Sequence, residues 1–117
     1  MSSGPTCLFC KIIEKKVPAK IVHEDEYSVA FEDVNPQAPV HMLIVPKKHI
    51  TDIHSLVVTD REIIGHLFFI AKTIASKQGL DKGGYRMVIN NGRDAGQSVF
   101  HVHLHLLSGR TFAWPPG

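Results

Sequence analysis

Apolar positions along the chain repeat with two different periods. Within residues 7–16, Leu8, Phe9, Ile12 and Ile13 recur at helical spacing and predict a short helix that ends before Pro18. Within residues 60–78, Ile63, Ile64, Leu67, Phe68, Ala71, Ile74 and Ala75 mark one face of a long helix. Thr59 and Glu62 have capping-box spacing at its start, and Gly79 supplies a stop. Short β-rich runs are predicted at residues 21–23 and 27–31, on either side of Glu24-Asp25-Glu26. Residues 42–45 (MLIV) read as a buried strand stopped by Pro46, and residues 85–89 and 99–107 as two more strands. Turn-rich connections occupy residues 35–39 and 90–98, and the tail from Arg110 is irregular. Strands gathered around one long and one short helix, without regular βαβ alternation, predict an α+β fold with a mainly antiparallel sheet. One domain is expected over residues 7–117, preceded by a flexible, small and polar stretch at residues 1–6.

The chain's 117 residues are 44% hydrophobic and 21% charged, which excludes extensive disorder. A net charge of +2 gives no reason to expect nucleic-acid binding. No apolar run approaches the length of a membrane span, and Met1-Ser2-Ser3-Gly4-Pro5 lacks the apolar stretch of an export signal. A reducing, cytoplasmic or nuclear compartment is the expectation, in which Cys7 and Cys10 are thiols or metal ligands.

Eight histidines are present, and three of them fall in His101-Val102-His103-Leu104-His105. On a strand these three share one face and Val102, Leu104 and Leu106 the other. The row has three readings. It is a half-buried strand with a polar face, a zinc site, or a line of imidazoles facing an anionic ligand with one of them as nucleophile. At about 3.3 Å rise per residue, His101 and His105 lie about 13 Å apart, so at most two neighbours can share one ion. The preceding loop, with Gly92, Gly96 and Ser98, offers amides and a hydroxyl suited to a phosphate and favours the third reading.

Asn90, Ala95, Gln97, Val99 and the run from His101 to Ser108 together resemble the signature of the histidine triad nucleotide-binding family. Residues 31–41 (FEDVNPQAPVH) and Pro46-Lys47-Lys48-His49 are similar to the same family, and the ending Trp114-Pro115-Pro116-Gly117 to its Hint branch. The resemblance spans about residues 7–117. It implies a purine nucleoside phosphoramidase that hydrolyses the P–N bond of adenosine 5′-monophosphoramidates, including adenylated lysine and aminoacyl-adenylate types, and releases AMP. In that family His103 would be the nucleophile that becomes adenylylated, with His101 and His41 supplying orientation and proton relay. His105, the amides at Gly96 and Gln97, and Ser98 would hold the α-phosphate. Asp33 would bind the ribose and Asn90 would sit beside the phosphate. Leu8, Phe9, Ile12, Phe31 and Val34 are candidates for the purine pocket. Glu32 departs from the animal Hint pattern, which has a histidine there.

Catalysis would need no cofactor. Cys7 and Cys10 are similar to the opening of bacterial-type members, in which two cysteines, the histidine of Pro-x-x-His and the first triad histidine hold zinc. Here those positions are Cys7, Cys10, His49 and His101, a set suited to a structural ion. The resemblance also implies a homodimer with a ten-stranded sheet, paired through the long helix and a central strand. Two other outcomes are a dinucleoside polyphosphate hydrolase, the Fhit-branch activity, and a zinc- and nucleotide-binding regulatory module.

Overall fold

The computed structural model describes residues 6–117, so residues 1–5, nearly all of the expected flexible lead-in, lie outside the described residues. The elements run α1 (Leu8–Ile13), β1 (Ile21–Glu24), β2 (Ser28–Glu32), β3 (Val40–Pro46), α2 (Arg61–Lys77), β4 (Tyr85–Val88) and β5 (Leu104–Ser108). All five strands form one antiparallel sheet in the order β1-β2-β3-β5-β4. The expected α+β class is therefore the observed one.

Alternation along β3 divides the core between the two faces of this sheet. Met42 and Ile44 pack with Leu67, Ile70, Ala71 and Ile74 of α2, together with Val102, Leu104 and Leu106. Leu43 and Val45 point the other way and pack with Phe9 and Ile12 of α1 and with Val29 and Phe31 of β2. A strand buried on both faces reads as a continuous apolar run, which is why β3 was visible as MLIV.

The β1–β2 turn is built by one carboxylate. Asp25 Oδ1 accepts the amides of Tyr27 and Ser28 at 2.7 and 2.8 Å, an Asx turn. Its Oδ2 receives His23 Nε2 at 2.7 Å and His66 Nε2 of α2 at 2.9 Å. Burial opposes the charge on Asp25, but donors from His23, Tyr27, His66 and Ser28 outweigh it and hold the carboxyl far below its ordinary range. This hub ties the hairpin to the long helix.

Two expectations need correcting. Helix α2 starts at Arg61 without a Thr59–Glu62 capping box; instead the buried Asp60 accepts the Val57 amide at 3.1 Å and Lys48 Nζ at 2.6 Å. Asp60 thus serves the turn before the helix and a distant cation, and gives α2 no side-chain cap. The last strand begins at Leu104 rather than 99: its pairing with β3 runs only from Val40↔Ser108 to Ile44↔Leu104, although β3 continues to Pro46 beside β2. Pro46 closes β3, and the Val102 amide turns to the Ile50 carbonyl at 2.7 Å. The chain from 99 to 103 therefore approaches the sheet as an irregular segment.

Candidate active site and metal centre

The departure from strand geometry before Leu104 separates the three histidines. His101 is fully buried, and its Nε2 lies 2.8 Å from the Pro46 carbonyl, to which it must donate. Its Nδ1 therefore carries a lone pair, and it faces Cys7 Sγ at 3.4 Å, Cys10 Sγ at 3.5 Å and His49 Nδ1 at 3.2 Å. Cys10 Sγ and His49 Nδ1 are themselves 3.2 Å apart. Ligands at about 2.3 Å (S) and 2.05 Å (N) around a tetrahedral ion are separated by about 3.6 Å for S–N and about 3.3 Å for N–N. The four side chains thus have the donor set, the spacing and the outer carbonyl partner of a closed Cys₂His₂ zinc site. Burial, and then the neighbouring histidines, push the His101 pKa down to about 4, which keeps the ring in the ligating neutral form.

His103 packs against the same Phe9 ring as His101 but lines a separate cleft. Its Nδ1 is 2.8 Å from the His101 carbonyl and must donate to it, which leaves a lone pair on Nε2. Burial lowers its pKa from the ordinary histidine value, so the neutral form prevails. His105 belongs to another chain of contacts. The Gln37 amide donates to His41 Nδ1 at 3.0 Å, so the neutral His41 ring carries its proton on Nε2. That nitrogen lies 2.9 Å from His105 Nδ1 and 3.4 Å from Asp33 Oδ2. With His41 donating, His105 Nδ1 accepts and its Nε2 bears the proton. Burial pushes the His105 pKa down to about 4 and also lowers that of His41. Two adjacent imidazoles, with ring centroids 5.0 Å apart, are thus set in complementary states: His103 offers a lone pair and His105 an N–H. A nucleophile beside a hydrogen-bond donor is the arrangement that attack on a phosphoryl centre requires.

Both rings line a cleft of about 340 Å³ that also exposes Asp33, Ser98 and Val99. The five apolar residues expected around a purine, Leu8, Phe9, Ile12, Phe31 and Val34, all line it. Phe9 and Phe31 meet edge to face at 5.5 Å, and Phe9 also stands edge-on to His103 at 5.0 Å. Val34 is 96% exposed, so it forms the rim rather than the wall. Glu32 joins that rim and pairs with Lys20 at 3.5 Å. A larger groove of about 630 Å³ runs over β4 and the segment after β5. No histidine, cysteine or carboxylate lines it, and Arg86 and Arg110 there already donate to the Ala113 and Gln37 carbonyls.

Three expected roles do not fit this geometry. His101 points one ring nitrogen at the Pro46 carbonyl and the other at Cys7, Cys10 and His49, and does not line the cleft; it contributes its backbone carbonyl to His103. The amides of Gly96 and Gln97 do not face an anion, because they donate to the Arg93 and Gly92 carbonyls at 3.0 Å each. The Gln97 side chain is buried and braces its loop, with Oε1 accepting the Gly92 amide and Nε2 donating to the Thr51 and Val99 carbonyls. Gly96 sits at φ +99° with Asn90 Nδ2 3.9 Å from where a Cβ would stand, so both shape the loop. Ser98 is the loop residue that reaches the cleft. Asp33 has one oxygen in a local turn, accepting the Asn35 amide at 2.9 Å, and the other toward His41. The residues not anticipated are Pro46 and Gln37, whose backbone groups set two of the tautomers; nothing in their side chains signals it.

The chain is similar to known proteins in both sequence and fold. A model of the HIT domain matches residues 14–112. A HIT-like protein of Synechocystis is 50% identical over 110 residues, covering 94% of this chain and 96% of that one. Among solved structures, a HIT family hydrolase from Legionella pneumophila superposes with a TM-score of 0.93 at 48% identity, covering 96% of this chain and all of the other. A histidine triad protein from Clostridium difficile gives 0.92 at 38% identity, covering 96% and 97%. A histidine triad nucleotide-binding protein from Candida albicans gives 0.81 at 32% identity, covering 94% and 83%. With the family model spanning most of the chain and the same fold recurring at such identity, the protein belongs to the HIT domain family.

Proposed function

We propose that the protein is a nucleotide hydrolase that cleaves the P–N bond of adenosine 5′-monophosphoramidates, adenylated lysines among them, with His103 as nucleophile. The observation that carries this reading is the paired state of His103 and His105, one lone pair and one N–H facing the same cleft. The purine would occupy the apolar end between Phe9, Ile12 and Phe31, with Asp33 toward the ribose and Ser98 toward the phosphate. His103 Nε2 attacks the α-phosphorus, the P–N bond breaks, and the departing amine takes up a proton from solvent water. His105 Nε2–H, backed by His41, steadies the charge on the phosphoryl oxygens. Water then cleaves the adenylyl-histidine, releasing AMP and restoring the ring. A neutral imidazole meets no charge repulsion at the anionic centre, and the lowered pKa of His103 keeps it neutral.

Cys7, Cys10, His49 and His101 would hold zinc. Four protein ligands leave the ion no open position, so its contribution would be structural. It would join α1 to the segment carrying His103. The edge position of β4, with Met87 exposed, and the exposed Phe68 and Phe69 of α2 support a homodimer in which two sheets join. Sedimentation at micromolar concentration should report a dimer; a monomer would refute that part. Among the described residues, no helix is long and apolar enough to cross a membrane.

The decisive experiment is hydrolysis of adenosine 5′-monophosphoramidate by wild type and His103→Ala. Turnover by the wild type and its loss in the variant, with a ³¹P-detectable phosphorus–nitrogen adduct on His103, are expected. A folded wild type without turnover would overturn the phosphoramidase reading in favour of a binding module.

A further inference from the structure

The two cysteines differ in access. Cys7 is half-buried and, with His49, Thr51, Ser98 and Phe100, lines a second cleft of about 490 Å³ that opens to solvent. Cys10 is 3% exposed and lies behind it. The Cys10 amide donates to Cys7 Sγ at 3.4 Å, and the two sulfurs are within 4.8 Å of each other. A disulfide needs them at about 2.0 Å, a small closure for two cysteines three residues apart. That closure cannot be made in isolation. His101 Nδ1 touches both sulfurs, the His101 carbonyl holds His103 Nδ1, and Phe9 lies between the cysteines in sequence with its ring against both histidines.

We propose that Cys7 and Cys10 form a peroxide-sensitive modification site, whose oxidation to a disulfide displaces His101 and Phe9 and so disarms His103. The Cys7 thiolate attacks hydrogen peroxide, the O–O bond breaks, and the products are a sulfenic acid and hydroxide. The Cys10 thiolate then attacks that sulfur, forming the S–S bond and expelling hydroxide. Two electrons pass from the sulfurs to the peroxide. A zinc ion held by the pair loses two of its four ligands at this step and is released. The effect on turnover rests on the reading of His103 given above; the modification and its effect on the His103 ring do not.

The test uses the full metal-loaded chain exposed to graded hydrogen peroxide. Intact mass and peptide mapping should show one Cys7–Cys10 disulfide, with one zinc released per disulfide formed. The His103 Nδ1–H resonance should shift in proportion, and turnover should fall roughly a hundredfold, the scale of misplacing a reacting group. Dithiothreitol with added zinc should reverse all of these. Activity remaining in a Cys7→Ser, Cys10→Ser double variant should be insensitive to peroxide; if that variant does not fold, the wild-type mapping and resonance decide alone. Thiols that stay reduced or proceed singly to sulfinic acid would overturn the proposal. So would a disulfide that leaves the His103 resonance unmoved. If the untreated protein lacks turnover, the phosphoramidase reading fails, while the mass and resonance measurements still decide the switch.

Discussion

Two histidine clusters lie side by side in this protein and are prepared for opposite tasks. Around His101, lone pairs and sulfurs converge on one point. Around His103 and His105, lone pair and N–H alternate, so the cluster presents an acceptor and a donor to the cleft. The residue type is the same in both; the difference lies in the backbone group on each ring's far nitrogen. Pro46 and His101 offer carbonyls, which turn lone pairs toward the cysteines and the cleft respectively. Gln37 offers an amide, which makes His41 a donor toward His105. A histidine's function here is decided by which backbone dipole it meets.

The sharpest way to break the comparison is to remove one ring from each side. His103→Ala should reduce phosphoramidate turnover by roughly 10⁴-fold or more, since it removes the proposed nucleophile. The same variant should keep its metal content and its melting temperature within a few degrees. If His103→Ala also released zinc, the two clusters would be one unit.

The metal side should show the converse. At free zinc about a thousandfold above its Kd, binding stabilises the fold by about 4 kcal/mol. At roughly 4 °C per kcal/mol for a chain of this size, chelation should lower the melting temperature by about 15 °C. Cys10→Ser should melt like the chelated wild type and gain nothing from added zinc. An unchanged melting temperature after chelation would remove the metal half of the comparison.

Acid should reach the catalytic side through His41 and His105. Burial holds His105 at about 4, against an ordinary 6.5, and lowers His41 as well. The unfolded chain therefore binds protons first on the way down in pH. Stability that is complete above pH 6.5 is lost as pH falls toward 4, by at most about 3 kcal/mol from His105. Thermal unfolding across that window should slope downward in wild type and less steeply in His105→Asn. Equal slopes would mean that His105 is not kept neutral by the fold.

Much of this was legible in the chain because it is local. Alternation placed Val102, Leu104 and Leu106 against α2, and the MLIV run marked β3. The spacing argument that His101 and His105 cannot share an ion is met, since they stand in separate clusters. What was not legible depends on partners distant in sequence. The Val102 amide leaves the sheet for the Ile50 carbonyl, and Asp60 is held by Lys48 and Val57 rather than capping α2. The Gly96 and Gln97 amides looked available because glycine loops often expose them, but this loop closes on itself through Arg93 and Gly92. Residue types suggested the proposed phosphate site; the tautomers of its histidines required the fold.

That loop sets the smallest and most discriminating prediction. With the Gly96 and Gln97 amides turned inward, Ser98 is the loop residue that lines the cleft with His103 and His105, and under the proposed function it would meet the phosphate. Its hydroxyl would give one hydrogen bond to a charged oxygen, of the kind that contributes about 1.5 kcal/mol or slightly more. Ser98→Ala should therefore lower kcat/KM about tenfold or somewhat more, while leaving zinc content unchanged. If the loss falls on kcat, Ser98 meets the phosphate mainly as charge develops; if it falls on KM, the contact is already made in the bound substrate. A variant with unaltered kinetics would mean that His105 alone anchors the phosphate, and the contrast between the clusters would then rest entirely on the histidine rings.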